Sequence, residues 1–212
     1  MLEAVSITFG YLKCASPVFR DFTARFVRGE IVALCGKNGC GKTTLTKLLV
    51  GILRPSSGQI LIDGNDISGM SLFDTGKRVG YVFQNPNRQL FCDTVYNEIA
   101  YGLRNSGMGA DETNHKVNSC LKLFGLERYT GVFPGKLSLG EKQRVALAAV
   151  LALGTDYLVM DEPTSGLDVR RQAELGDMLV KLRIETRCGI VIASHEIDFI
   201  DRYADRELVI AL

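Results

Sequence analysis

Nine consecutive residues, Gly36-Lys37-Asn38-Gly39-Cys40-Gly41-Lys42-Thr43-Thr44, fit the spacing G-x-x-x-x-G-K-[ST] of a phosphate-gripping loop. Glycines at 36, 39 and 41 allow sharp backbone turns and let N–H groups approach phosphate oxygens. A helix starting behind the loop adds partial positive charge. Lys42 supplies a full charge for β- and γ-phosphates, and the Thr43 hydroxyl is a hard ligand for Mg²⁺. This motif says that the chain binds a nucleoside triphosphate and not to what end. A second group, Asp161 and Glu162, ends the apolar run Tyr157 to Met160. Asp161 suits Mg²⁺ held through water. Glu162, one residue on, points another way and suits polarisation of an attacking water.

These groups need elements to aim them. The apolar run Ile31 to Cys35 predicts a buried strand before the glycine loop, and Leu45 to Leu53 a helix after it. Alternation predicts strands over 2–8 and 18–27, joined to the buried strand by Arg28-Gly29-Glu30. Further strands are expected at 59–62, 79–83, 157–160, 189–193 and 207–211. Helical spacing covers 93–103, 111–124, 140–153, 169–185 and 196–203. Strands alternating with helices imply an α/β core with a largely parallel sheet, whose ligands bind at the carboxyl edge. The successive helices from 93 to 153 break that alternation and read as an inserted helical subdomain, about 86–153, within a single domain of 1–212.

The bulk properties exclude other classes. The chain has 212 residues, 46% of them hydrophobic, and a net charge of +1. That charge gives no field for nucleic acid or acidic lipid. No apolar run approaches the roughly 20 residues of a membrane span. The first residues hold no basic region followed by an apolar stretch, so no signal peptide is expected. The six cysteines form no C-x-x-C and have no His cluster beside them, and reduced thiols are the expectation. Cys40 sits in the phosphate loop, where positive charge favours a thiolate; a redox role and a purely backbone role both stay open. His115 lies in a polar helical stretch and reads as surface.

Taken in order, the motifs resemble the nucleotide-binding subunits of ABC transporters almost end to end. Gln84 resembles the Q-loop, Leu137-Ser138-Leu139-Gly140-Glu141 the signature LSGGQ, and Asp161-Glu162-Pro163-Thr164 the Walker B end. Ser165-Gly166-Leu167-Asp168 resembles the D-loop, Ser194-His195-Glu196 the switch histidine, and Tyr11 the aromatic that stacks on adenine. The resemblance implies a P-loop NTPase (RecA-like) α/β core with an N-terminal antiparallel β-subdomain and an inserted α-helical subdomain. It implies ATP bound by Tyr11 and residues 36–44, with Mg²⁺ held by Thr43, Gln84 and Asp161. Glu162, His195 and Gln84 would act on the attacking water. Ser138, Gly140 and Glu141 would act in trans on the nucleotide of a second ATPase subunit, in a head-to-tail dimer with Asp168 in its D-loop. Leu139 and Glu141 depart from the signature pattern, and Leu139 adds bulk where it meets the partner's nucleotide. Whether the dimer is homo- or heteromeric is open.

A narrower resemblance concerns Phe83 to Phe91 followed by Thr94 to Leu103. This segment looks like the energy-coupling-factor importers, which take up vitamins or nickel and cobalt ions. It implies a transmembrane coupling subunit docked near residues 84–103 in a helix-in-groove mode, at the cytoplasmic face of the cell membrane. That group often carries an additional C-terminal region, which this sequence does not show after 207–211. The alternatives are the ATPase of another ABC transporter class and a soluble ABC ATPase acting on DNA or ribosomes. The charge and the want of a coiled-coil insertion count against the latter, and no nucleic-acid partner is expected. A P-loop kinase or GTPase would leave the signature unexplained, and no N-K-x-D guanine motif is present.

Overall fold

The computed structural model describes residues 1–12 and 16–210. Its strands are β1 (Leu2–Phe9), β2 (Phe19–Phe26), β3 (Ile31–Cys35), β4 (Ser57–Ile62), β5 (Asn65–Asp66), β6 (Val79–Val82), β7 (Tyr157–Asp161), β8 (Gly189–Ala193) and β9 (Arg206–Val209). Its helices are α1 (Lys42–Leu49), α2 (Leu72–Arg78), α3 (Val95–Asn105), α4 (Ala110–Leu123), α5 (Leu139–Leu151), α6 (Val169–Thr186) and α7 (Ile197–Tyr203). The last expected strand, 207–211, runs in part beyond the described residues, as does Cys14.

The chain divides into two compact units, 1–81 with 156–212 and the intervening 82–155. The first unit holds both sheets. One is antiparallel, in the order β2-β1-β4-β5. Strand β1 alternates in burial, as a strand with one covered face must. The other sheet has the order β6-β7-β8-β3-β9, and its β7–β8, β8–β3 and β3–β9 pairs are parallel. Strands β7 and β8 are buried at every position, and β3 at all but its last. Such continuous apolar runs belong to a parallel sheet covered on both faces. Register then fixes the site: Ala193 at the end of β8 pairs with both Leu34 of β3 and Asp161 of β7. The carboxyl ends of these three strands, each opening into a loop that carries one motif, therefore lie side by side.

Helix α1 begins at Lys42, three residues before its expected start, and ends at Leu49 rather than 53. Gly41 is left-handed (φ 102°) and hands the loop directly to the helix, while Gly51 (φ 76°) turns the chain away after Val50. Leu45, Leu48 and Leu49 have no exposed surface and tie α1 to the core; burying each is worth roughly 1.5–3 kcal/mol. Helix α2 was not expected. Its Leu72-Phe73-Asp74-Thr75-Gly76-Lys77-Arg78 sequence carries a mid-helix glycine, but Ser71 Oγ accepts the Asp74 N–H and Thr75 is buried. Capping and tertiary burial here outweigh poor propensity. Asp63, just after β4, and Asp156, just before β7, each pair with both Arg28 and Arg78.

The unit 82–155 holds α3, α4 and α5. Val95, Ile99 and Leu103 of α3 are fully buried, as are Val117 of α4 and Val145 and Leu147 of α5. A side chain at Gly102 would press on Leu153, so α3 passes close to the end of α5 there. His115 is exposed.

Candidate functional site

The glycine loop is built around its own lysine. Lys42 Nζ donates to the carbonyls of Gly36 at 2.8 Å and Lys37 at 3.4 Å, and Cys40 N–H to Lys37 O at 3.1 Å. A side chain on Gly36 would meet Ile210 O and Cys40 Sγ, each at 2.6 Å, so no larger residue fits beneath the loop. Cys40 is buried and its sulfur fills that space, whereas Lys37, Asn38 and Gly39 are exposed on the outer curve. No side chain caps the start of α1, which leaves its first N–H groups to an outside acceptor. Tyr11 lies at the same end, its hydroxyl 3.1 Å from Thr44 Oγ1 and its ring edge-on to Phe9.

The hydroxyl of Thr43 donates to Asp161 Oδ1 at 2.8 Å. These oxygens, one on α1 and one at the end of β7, are 118 residues apart in sequence. Asp161 is buried, and a buried carboxylate needs donors. Its Oδ2 accepts a long 3.5 Å bond from the Tyr81 hydroxyl, which also lies 3.4 Å from Thr46 Oγ1. Burial pushes the Tyr81 phenol up to about 12, so it remains a donor. Sequence reasoning missed Tyr81 and Thr46. The signal was present: Thr46 lies one helical turn beyond Thr43, and Tyr81 is the one polar-tipped residue in Val79–Val82. Thr43 and Asp161 together make the adjacent hard-oxygen set that Mg²⁺ takes.

Glu162 has a left-handed backbone (φ 48°), a conformation that costs a non-glycine residue on the order of 1–3 kcal/mol. Its N–H bonds Ala193 O at 2.8 Å, continuing the β7–β8 ladder one residue past the strand. The turned backbone aims its carboxylate at His195, with Oε2 2.7 Å from Nδ1. Beside an acceptor-only carboxylate, Nδ1 carries the proton. The Glu162 side chain is 13% exposed and His195 is 52% exposed, so the pair opens outward. Asp168 is exposed and caps α6, accepting the Arg171 N–H at 2.9 Å.

The remaining predicted residues lie in the unit 82–155. Gln84 is exposed just past β6. Ser138 is the N-cap of α5 and forms a reciprocal capping box with Glu141. Glu141 Oε2 accepts from the Ser138 N–H at 2.8 Å and hydroxyl at 2.7 Å, and its Oε1 from the Tyr129 hydroxyl. These donors, Tyr129 first, hold its carboxyl down at about 2. The glutamate that departs from the signature pattern is thus a helix cap. Leu139 beside it is exposed and Gly140 half-buried. Between Gln84 and α3, Phe91 is 65% exposed and meets the exposed Tyr101 edge-on at 4.8 Å. The buried carboxylate of Glu98 fixes that loop by accepting the N–H groups of Phe91 at 2.9 Å and Cys92 at 2.7 Å.

Comparison with known proteins decides the family. The family profile described as ABC transporter matches residues 19–165. The chain belongs to the ABC transporter family. A Pyrococcus furiosus protein named as an ABC transporter ATP-binding protein is 39% identical over 211 residues, covering 100% of this chain and 80% of its own length. Other relatives so named are 40% identical but longer, and the chain spans about a third of their length. Among solved structures, cbiO1 of Clostridium perfringens, described as part of the ABC transporter complex cbiONQ, is 36% identical. It superposes with a TM-score of 0.90 over 98% of this chain and 83% of its own. A dimeric ATP-binding cassette in a post-hydrolysis state with ADP and Pi is 25% identical, with a TM-score of 0.86 over 99% of this chain and 94% of its own. The chain is therefore an ATP-binding, ATP-hydrolysing ABC transporter domain with a P-loop NTPase core. Among the described residues, no helix is long and apolar enough to cross a membrane.

Proposed function

We propose that this ABC ATPase powers a membrane importer of the energy-coupling-factor type, for a vitamin or a transition-metal ion. It would work as one half of a head-to-tail ATPase dimer at the cytoplasmic face of the membrane. The observation that carries the importer reading is the exposed pair of Phe91, on a loop pinned by buried Glu98, and Tyr101 on α3, within the segment 84–103. An apolar pair held rigid at the surface suits an amphipathic helix laid across it. The likeness to cbiO1, a component of cbiONQ, supports the same reading.

The ATPase chemistry is assigned residue by residue. Lys42 and the backbone N–H groups of residues 36–44 bind the triphosphate, and Tyr11 offers its exposed ring to the purine. Thr43 and Asp161, with Gln84, would hold Mg²⁺, which when bound neutralises charge on the phosphoryl oxygens. Glu162 takes the proton of the attacking water as general base. His195 donates Nδ1–H to Glu162, which fixes the direction of that carboxylate. Ser138 and Gly140 offer a hydroxyl and an N–H to the nucleotide of the second subunit, and Glu141 sets the helix end that presents them. Nucleotide bound between two subunits stabilises the closed dimer by mass action.

The test of the importer reading replaces Phe91 and Tyr101 together by alanine and purifies the tagged chain from detergent-solubilised membranes of its source. The wild type should bring down a polytopic subunit and the variant should not, while both bind ATP alike. Retention of that subunit by the variant would remove the docking assignment. Recovery of only soluble partners by the wild type would move the reading to a non-transport ABC ATPase.

A further inference from the structure

Beneath the Glu162–His195 pair lies a second polar contact between the same two loops. Thr164 and Ser194 both have no exposed surface, and their hydroxyl oxygens are 3.3 Å apart. Ser194 Oγ also accepts the Glu196 N–H at 3.2 Å, so one hydroxyl meets both the neighbouring loop and its own. Thr164 follows Glu162 by two residues and Ser194 precedes His195 by one. The loops after β7 and β8 are thus joined outside through Glu162 and His195 and inside through two hydroxyls. The intervening Pro163 has a φ fixed by its ring.

This arrangement bears on the left-handed backbone of Glu162. Such a conformation persists in a non-glycine residue only where its surroundings over-determine it. The Glu162 N–H bond to Ala193 holds the near side of the turn. The Thr164 hydroxyl is the side-chain anchor on its far side, and it reaches into the loop that carries His195.

We propose that the Thr164–Ser194 hydroxyl pair is a positioning element for hydrolysis, setting the two loops so that Glu162 and His195 face each other. The proposal rests on the assignment of those two residues to the attacking water. Both hydroxyls are buried, with no exposed surface on either residue. Together they fix where the general base points, and a misplacement of about 1 Å at a reacting group slows a step by as much as 10²-fold.

The test uses the whole chain, four hydroxyl variants and Glu162→Gln. Thr164→Val keeps the branched shape and removes the hydroxyl; Thr164→Ser keeps the hydroxyl and removes the methyl. Ser194→Ala removes the partner, and the double variant Thr164→Val/Ser194→Ala completes a cycle. Single-turnover ATP hydrolysis is measured alongside the affinity for a fluorescent ATP analogue. Thr164→Val and Ser194→Ala should each hydrolyse about tenfold more slowly, with affinity unchanged. The double variant should be no slower than either, and Thr164→Ser should restore most of the rate. A normal rate in Thr164→Val or Ser194→Ala overturns the proposal, as does a Thr164→Ser rate as slow as valine, which would indicate packing alone. If Thr164→Val does not fold, Ser194→Ala against Thr164→Ser carries the same comparison. Glu162→Gln separates the two levels. Normal turnover there removes the assignment of Glu162 and this proposal with it, whereas an inactive Glu162→Gln beside a normal Thr164→Val removes the hydroxyl pair only.

Discussion

Glu162→Gln exchanges a carboxylate for an amide of the same shape. In the structure Glu162 Oε2 sits 2.7 Å from His195 Nδ1, on a side chain only 13% exposed. The amide oxygen can accept the same Nδ1–H, so the two loops keep their contact. The left-handed backbone at φ 48° is as strained for glutamine as for glutamate, so folding stability should change little. What is lost is the basic lone pair. A positioned general base contributes roughly 10²–10⁴-fold, equal to about 3–5 kcal/mol of barrier. Hydrolysis should fall by at least about 10²-fold in single-turnover phosphate release. ATP affinity should hold, because the groups proposed to bind the phosphates lie within residues 36–44 and do not include Glu162. With binding intact and hydrolysis blocked, the variant should also accumulate an ATP-bound dimer on size exclusion. Turnover within about threefold of wild type, in a variant that binds ATP normally, would refute Glu162 as the base.

Two further outcomes follow from the geometry. Lys42→Ala removes both a full charge at the phosphates and the brace to the Gly36 and Lys37 carbonyls. At roughly 1.5–3 kcal/mol for a charged hydrogen bond, ATP should bind about 10- to 100-fold more weakly by calorimetry, and an unchanged Kd contradicts the role. Glu141 is held at about 2, below its ordinary 4.5. Its contribution is therefore complete above about pH 4.5 and fades as pH falls toward 2. Urea midpoints from pH 6 down to 3 should drop more steeply for wild type than for Glu141→Gln, and parallel slopes would show that the Tyr129 and Ser138 bonds do not stabilise the charged form.

The parts that could be read from sequence are those whose code is local. Ile31 to Thr44 carries strand, glycine turn and helix start in one stretch, and each end of β3, β7 and β8 is marked by a motif that breaks an apolar run. The helix start was misplaced because Gly41, read as loop, is itself the hinge that lets Lys42 be helical. Helix α2 was missed because its stability comes from Ser71 capping and from burial of Thr75, while its own residues, Gly76 among them, argue against a helix. Glu141 was read as a signature residue acting in trans that departs from the usual pattern, although a Ser followed three residues later by Glu is also the spacing of a capping box.

The contacts that aim the chemistry were not legible, and the reason is register. Thr43 meets Asp161 across 118 residues, Tyr81 meets Asp161 across 80, and Thr164 meets Ser194 across 30. None of these pairs has a spacing that a helix or strand period would reveal. Each depends on which residues of β3, β6, β7 and β8 stand beside one another, with Ala193 as the shared partner of Leu34 and Asp161. A parallel register shifted by one residue would turn Asp161 to the other face and separate both pairs of loop contacts at once. The identity of the reacting groups is thus written in short motifs, whereas their orientation is a property of the sheet. For that reason a silent-looking hydroxyl such as Thr164, and not a further charged residue, is where the next determinant of the rate is to be sought.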